Sequence, residues 1–265
     1  MNASYPRREA LWHVAHEMAD AARAAILPFF RHADLTADNK LTEGFDPVTQ
    51  ADRAAELAMR AMLADLRPDD AILGEEFGAS PGTSGLTWVL DPIDGTRAFM
   101  SGLPTWGVLI ALNDANGPML GLIDQPYMGE RFCGGLGQAV WTGPHGGAEL
   151  RTRKTAQLAQ ATLFSTFPEI GSTAEHAAFH RVASQVRLTR YGTDCYAYAL
   201  LAAGHVDLVI EAGLNAYDIA APIAVIEAAG GIVTDWEGGK AHDGGRALAA
   251  ANTGLHALAL AALNP

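Results

Sequence analysis

Two aspartates three residues apart stand where an apolar run ends, in the segment Trp88-Val-Leu-Asp91-Pro-Ile-Asp94-Gly-Thr96-Arg-Ala-Phe99. Trp88 to Leu90 reads as a buried strand that delivers Asp91 at its end. Pro92 breaks the ladder, Gly95 lets the chain turn, and Thr96 and Arg97 start a helix. Two carboxylates at a strand end beside a helix N-terminus suit cations and an anion together. A plainer reading makes Asp94 a helix cap and Asp91 a turn residue, because Asp-Pro and Asp-Gly are common turn dipeptides.

Other acids weigh against the plainer reading. Gly74-Glu75-Glu76 follows the short apolar run Ala71 to Leu73, so Glu75 also lies at a strand end. Tyr217-Asp218-Ile-Ala-Ala-Pro222 opens an apolar helix with an acid in its first turn, where Asp218 alone reads as a cap. Gathering Glu75, Asp91, Asp94 and Asp218 without a cation is costly: two like charges about 4 Å apart repel by about 4 kcal/mol at an effective dielectric near 20. Oxygen donors without His or Cys select a hard cation, Mg²⁺, with Mn²⁺ as substitute.

The elements that must position these acids follow from periodicity. Leu11, Val14, Met18, Ala22, Ile26 and Phe29 share one helical face, and Pro28 ends that helix. A polar loop runs from His32 to Pro47. Thr49 and Asp52 form a capping box that opens a helix to about Leu66. Strands are expected at Ala71–Leu73, Trp88–Leu90, Trp106–Leu112 and Met119–Ile123, then a hairpin from Glu130 to Trp141. Gly135-x-Gly137 lacks the third glycine and helix start of a dinucleotide fingerprint. After Gly146-Gly147 the pattern alternates: strand Ala161–Phe167, helix Thr173–Val186, a short strand, helix Asp194–Ala203 and strand Val206–Ile210. Helix Tyr217–Ala229, strands Ile232–Asp235 and Ala247–Ala251 and a last helix close the chain. A boundary near residue 150 divides a half, 1–150, holding most of the acids from a half, 151–265, holding Asp218.

Composition removes several function classes. The 265 residues are 49% apolar and 18% charged, a globular balance. Thirty acidic against 18 basic residues give a formal charge of −12, which disfavours nucleic acid and anionic membranes. Cys133 and Cys195 are far apart and read as reduced thiols of a cytoplasmic protein. The first residues are polar and the apolar stretch Ala247–Leu263 is interrupted, so neither a signal peptide nor a spanning helix is expected. His13 with His16 and His176 with His180 lack a third ligand at a known spacing and read as surface residues. Trp12, Trp106, Trp141, Tyr196 and Tyr198 read as packing residues.

The segments around Asp91-Pro-Ile-Asp-Gly-Thr96 and Tyr217 to Gly231, with Gly74-Glu-Glu76 and Asp46-Pro-Val-Thr-Gln-Ala-Asp52, resemble the inositol monophosphatase family of metal-dependent, lithium-sensitive phosphatases. The likeness runs from about Leu11 to Leu263. Pro28-Phe-Phe-Arg31, Asp91 to Arg97 and Gly192-Thr-Asp-Cys-Tyr-Ala-Tyr198 resemble its bacterial histidinol-phosphate phosphatases. The resemblance implies an α+β fold, a layered α-β-α-β-α sandwich with the active site between the halves, and a homodimer. It implies that Glu75, Asp91 and the Ile93 carbonyl bind one Mg²⁺, that Asp91, Asp94 and Asp218 bind a second, and that a third sits near Glu75 and Asp52. Thr96 and Asp52 would activate the attacking water, and the Gly95 and Thr96 amides would hold phosphate.

For the substrate alcohol, Glu211 matches a family contact, Asp194 replaces a usually small residue, and Asn215 shares the loop of Asp218. Extra carboxylates would favour L-histidinol phosphate, which carries an ammonium and an imidazole. Asp194 also reads as a helix N-cap, and Arg97 as either a phosphate contact or a surface ion-pair partner. The implied reaction is hydrolysis of L-histidinol phosphate. The alternatives are an inositol-1-phosphatase or broad sugar-phosphate phosphatase, a 3′-phosphoadenosine 5′-phosphate phosphatase, and a noncatalytic relative that binds a protein or RNA.

Overall fold

A computed structural model describes residues 5–33, 37–39 and 47–265. Asp46 and most of the expected His32–Pro47 loop lie outside the described residues. Helices α1 (Tyr5–Ile26) and α2 (Gln50–Leu66) come first, with the antiparallel ribbon β1 (Ala37–Asn39) and β2 (Pro47–Thr49) between them. Then follow β3 (Ala71–Gly74), β4 (Gly78–Ser80), β5 (Thr87–Asp94), the short helix α3 (Thr96–Met100), β6 (Gly107–Asp114), β7 (Gly117–Gln125), β8 (Glu130–Gly135), β9 (Gln138–Gly143) and β10 (Gly146–Glu149). These strands form one sheet in the order β10-β9-β8-β7-β6-β5-β3-β4, antiparallel except for β3 beside β5. The remaining elements are β11 (Thr162–Ser165), α4 (Thr173–Ala183), β12 (Leu188–Tyr191), α5 (Tyr196–Ala202), β13 (Leu208–Asn215), α6 (Ala216–Ala228), β14 (Ile232–Thr234), β15 (Gly244–Ala250) and α7 (Thr253–Leu263). Their strands make a five-stranded mixed sheet, β12-β11-β13-β15-β14.

The layers follow from which faces are apolar. Helices α1 and α2 pair and cover one face of the larger sheet; α5 and α6 lie between the two sheets; α4 and α7 cover the outer face of the smaller one. This is the expected α-β-α-β-α sandwich. Strand β5 is buried on both faces, so its residues alternate between cores. Trp88 and Leu90 pack with Met18 and Met59, whereas Val89 packs with Ile223 and Val225. In β13, Leu208 and Ile210 face Trp236 and Leu255, and Val209 faces inward. A strand between two apolar layers reads as an uninterrupted apolar run. Helix α6 is buried from Ile219 through Ile226, as its central position requires.

Several boundaries differ from expectation. Strand β13 begins at Leu208 and continues past Ile210 to Asn215, because after a register shift between Glu211 and Leu214 it pairs with Gly244 and Gly245. Helix α4 ends at Ala183, where Ser184 caps it. Among the described residues no helix is long and apolar enough to cross a membrane.

Candidate active site

The end of β5 is shaped by one missing donor and one glycine. Pro92 has no N–H for the ladder, and the β5–β6 register shifts between Asp91 and Asp94. Buried Asp91 accepts the Ile93 N–H through Oδ1 at 3.0 Å, and the Ile93 carbonyl accepts the Thr96 hydroxyl at 3.1 Å. Gly95, not Asp94, is the N-cap of α3. Its φ of 84° is left-handed, and a Cβ there would stand 2.8 Å from Asp194 Cβ. Asp94 is turned elsewhere: its Oδ2 accepts the Cys195 N–H at 2.6 Å.

Asp218 comes from the first turn of α6, where its Oδ2 accepts the Asn215 N–H at 2.6 Å in a capping box. It is therefore a cap and a member of the cluster at once. Asp91, Asp94 and Asp218 each offer an oxygen, and these oxygens lie within 4.8 Å of one another. Glu75 is not one of these three. It follows β3, its N–H donates to the Leu90 carbonyl at 3.1 Å, and its side chain lines the same cavity. Burial, then the charges of Glu75, Asp94 and Asp218, push the Asp91 carboxyl well above the usual range. Burial, Asp218 and Asp194 do the same to Asp94. Asp218 is pushed up to about 7 by burial, against its bonds to Asn215 and with the Glu75 charge. The cavity, about 250 Å³, is lined by Glu75, Asp91, Asp94, Asp194, Glu211 and Asp218, with Arg97 the basic lining residue among those described. An oxygen-only donor set crowded with acids fits a hard divalent cation, which would offset the burial and the mutual repulsion that raise these carboxyls.

Asp52 lies behind Thr96 rather than in the cavity wall. Its Oδ2 accepts the Thr49 N–H at 2.8 Å and the Thr49 hydroxyl at 2.5 Å, completing the capping box of α2. Its Oδ1 lies 3.4 Å from the Thr96 hydroxyl, as the alternative acceptor to the nearer Ile93 carbonyl for that one proton. Burial outweighs the Thr49 bonds and raises this carboxyl to about 6.

The smaller sheet supplies the opposite wall. Glu211 is buried at the bulge of β13 and accepts from Thr166 N at 2.6 Å and Thr166 Oγ1 at 2.9 Å; burial nonetheless raises it to about 7. Asp194 is not an N-cap: Cys195 caps α5, and Asp194 has a left-handed φ of 44°. Its Oδ2 accepts the Thr105 hydroxyl at 2.9 Å, and burial raises its carboxyl against that bond and the Arg97 charge. Arg97 is exposed at the cavity mouth, 5.1 Å over the Phe167 ring. Asn215 is the exposed N-cap of α6 and lines the cavity.

Residue-type reasoning missed some groups. Tyr198 is not simply a packing residue: it lines the cavity, and its hydroxyl is buried without a hydrogen-bond partner among the described residues. Tyr196 instead donates to Glu130 at 2.5 Å. Thr166 and Phe167, beyond β11, belong to the same wall, and no local motif marks them. His16 is half-buried beside Arg131, at 3.2 Å, rather than a free surface histidine.

Comparison with known proteins agrees with this geometry. A family model described as the inositol monophosphatase family matches residues 8–265. The chain is 44% identical over 227 residues to the bifunctional phosphatase IMPL2, chloroplastic, of Arabidopsis thaliana, covering 85% of this chain and 64% of that protein, less than two thirds of its length. It is 35% identical to a histidinol-phosphatase of Streptomyces coelicolor, covering 95% of this chain and 96% of the relative. Among solved structures, an inositol monophosphatase from Zymomonas mobilis superposes with a TM-score of 0.86 at 40% identity, covering 99% of this chain and all of the other. The acids that converge at the ends of β5 and α6 thus sit in a chain that belongs to the inositol monophosphatase family.

Proposed function

We propose that the chain is a Mg²⁺-dependent phosphatase that hydrolyses L-histidinol phosphate in histidine biosynthesis, with Mn²⁺ able to substitute. The observation that carries the metal-dependent reading is the approach of the Asp91, Asp94 and Asp218 oxygens to within 4.8 Å of one another. Glu75, Asp91 and the Ile93 carbonyl would hold one cation, Asp91, Asp94 and Asp218 a second, and Glu75 and Asp52 would flank a weaker third. Bound cations offset the charge on the phosphoryl oxygens and lower the pKa of an attacking water.

The chain's own residues do the rest. The Thr96 hydroxyl can accept a proton from that water while passing its own to Asp52 Oδ1, 3.4 Å away. A carboxylate near 6 is well matched to this task at neutral pH. The Gly95 and Thr96 amides would orient the phosphate. Asp194 and Glu211, with Asn215 and Arg97 at the rim, would receive the alcohol, and their acidity favours a cationic one. The name of the Streptomyces coelicolor relative supports the same substrate. With this reading go lithium sensitivity, a homodimer, a cytoplasmic location and a division of labour between residues 1–150 and 151–265. The 40% identity to the Zymomonas mobilis inositol monophosphatase favours inositol 1-phosphate as the second substrate to test.

Phosphate release from histidinol phosphate, inositol 1-phosphate and 3′-phosphoadenosine 5′-phosphate, with Mg²⁺ and with EDTA, tests the proposal. Histidinol phosphate should be preferred and EDTA should abolish release. Preference for inositol 1-phosphate overturns the substrate, and release unaffected by EDTA overturns the mechanism.

A further inference from the structure

Glu75 enters the cavity from the turn between β3 and β4, and that turn is gripped from α2. One helical turn beyond Asp52, Glu56 is fully buried. Its Oε2 accepts the Glu76 N–H at 2.7 Å, and its Oε1 accepts the Phe77 N–H at 3.2 Å and Arg60 Nε at 2.8 Å. Arg60 continues the grip: Nη1 donates to Ser80 Oγ at 2.9 Å, Nη2 donates to the Gly78 carbonyl, and the guanidinium lies 6.0 Å from the Phe77 ring centre. Gly74, immediately before Glu75, leaves room for the grip, because a Cβ there would stand 2.0 Å from Glu56 Oε1. Asp52, Glu56 and Arg60 are spaced four residues apart and share one face of α2.

We propose that Glu56, braced by Arg60, is a positioning residue that sets where Glu75 stands in the divalent-cation site. One helix face then fixes both the Asp52–Thr96 pair and the turn that carries Glu75. A carboxylate that takes two backbone N–H groups and a guanidinium makes charge-assisted bonds, which are short and orienting. Glu56 itself touches neither cation nor substrate, so its effect passes through Glu75. The assignment rests on the metal-dependent reading above.

The test is a double-mutant cycle read by Mn²⁺ binding, followed through the electron paramagnetic resonance signal of free Mn²⁺, on wild type, Glu56→Gln, Glu75→Gln and the double variant. Glu56→Gln should weaken Mn²⁺ binding by about 10–100-fold, the usual effect of removing a group that orients a ligand. In the Glu75→Gln background, Glu56→Gln should change affinity by less than about twofold, since the residue it acts through is already gone. Additive losses would mean a general structural role and overturn the assignment, as would unchanged binding by Glu56→Gln. If Glu56→Gln does not fold, Gly74→Ala displaces Glu56 from the other side and takes its place in the cycle, with the same expected outcomes. Wild-type protein that binds no Mn²⁺ overturns the metal-dependent reading itself, a result distinct from a wild type that binds while the cycle is additive.

Discussion

Buried carboxylates occur in two settings in this molecule. Asp124 on β7 is fully buried between Arg23 Nη2 at 2.8 Å and Arg131 Nε at 2.7 Å. Asp207 pairs with Arg153 at 3.1 Å, and Glu56 with Arg60 at 2.8 Å. Burial pushes the Asp70 carboxyl up, yet bonds from Arg67, Ser84 and Trp88 outweigh it and hold the group below its usual range. Around the cavity, burial pushes the Asp91, Asp94 and Asp218 carboxyls up, and the other carboxylates they face add to the rise where an arginine would oppose it. The fold pairs buried acids with arginine repeatedly and, among the described residues, gathers this cluster without one, which is the setting the proposed cations would complete. A removed partner should therefore cost stability in the first setting and chemistry in the second.

The sharpest contrast is Asp91→Asn against Asp124→Asn. The first should lower phosphate release by about 10³-fold or more, equivalent to several kcal/mol of transition-state stabilisation. The second should cost about 1.5–3 kcal/mol of folding stability, because it removes the charge that Arg23 and Arg131 share, Arg131 keeping Asp20 at 2.6 Å, while the folded fraction keeps its turnover. Denaturant unfolding beside steady-state kinetics separates the two, and a stability loss for both variants with equal activity would dissolve the contrast. Next, Asp52→Asn should reduce kcat by about 10²–10⁴-fold with the tighter Mn²⁺ binding little changed, since its task is proton transfer and it flanks only the weaker third cation. Asp194→Ala should then cost about 10–100-fold in kcat/KM on histidinol phosphate, as expected for a lost charged hydrogen bond, and less on a neutral sugar phosphate. Equal losses on both substrates would remove Asp194 from recognition.

A pH dependence is also expected in metal-free protein. Asp52 near 6 and Glu211 and Asp218 near 7 lie above their unfolded values. The folded chain therefore holds protons that the unfolded chain has shed, and stability is lost as pH rises from the unfolded values through these folded ones. Melting temperature in EDTA should fall between pH 4.5 and 7.5, and Mg²⁺ should restore it at the upper end. A melting temperature that rises across this window would contradict the picture.

The division between local and tertiary information explains what could be read in advance. Asp91, Asp94 and Glu75 were legible because strand ends and Asp-Pro, Asp-Gly and Gly-Glu punctuation are local chemistry. The Thr49–Asp52 box was legible because a cap needs only three residues of separation. The five layers came from the resemblance carried by Asp91–Thr96 and Tyr217–Gly231; local patterning by itself showed only helices and strands alternating in the second half. The conformation of Asp194 was not, since its left-handed backbone is set against Gly95, a hundred residues away in the chain. Nor was the continuation of β13 beyond Ile210, which depends on Gly244 and Gly245 as partners. Tyr198 read as packing because a tyrosine on an apolar helix carries no local sign that it lines a cavity with its hydroxyl left buried and unbonded among the described residues. The role of Glu56 was not legible either, because the N–H groups it binds belong to a turn some twenty residues later.

Titration calorimetry of wild-type protein with Mg²⁺ at pH 6, repeated in buffers of different ionisation enthalpy, tests the central claim most directly. Saturable binding with release of protons from the crowded acids is the predicted result, with the share belonging to the second cation lost in Asp218→Asn. Binding without proton release, or binding that survives unchanged in Asp218→Asn, would contradict it.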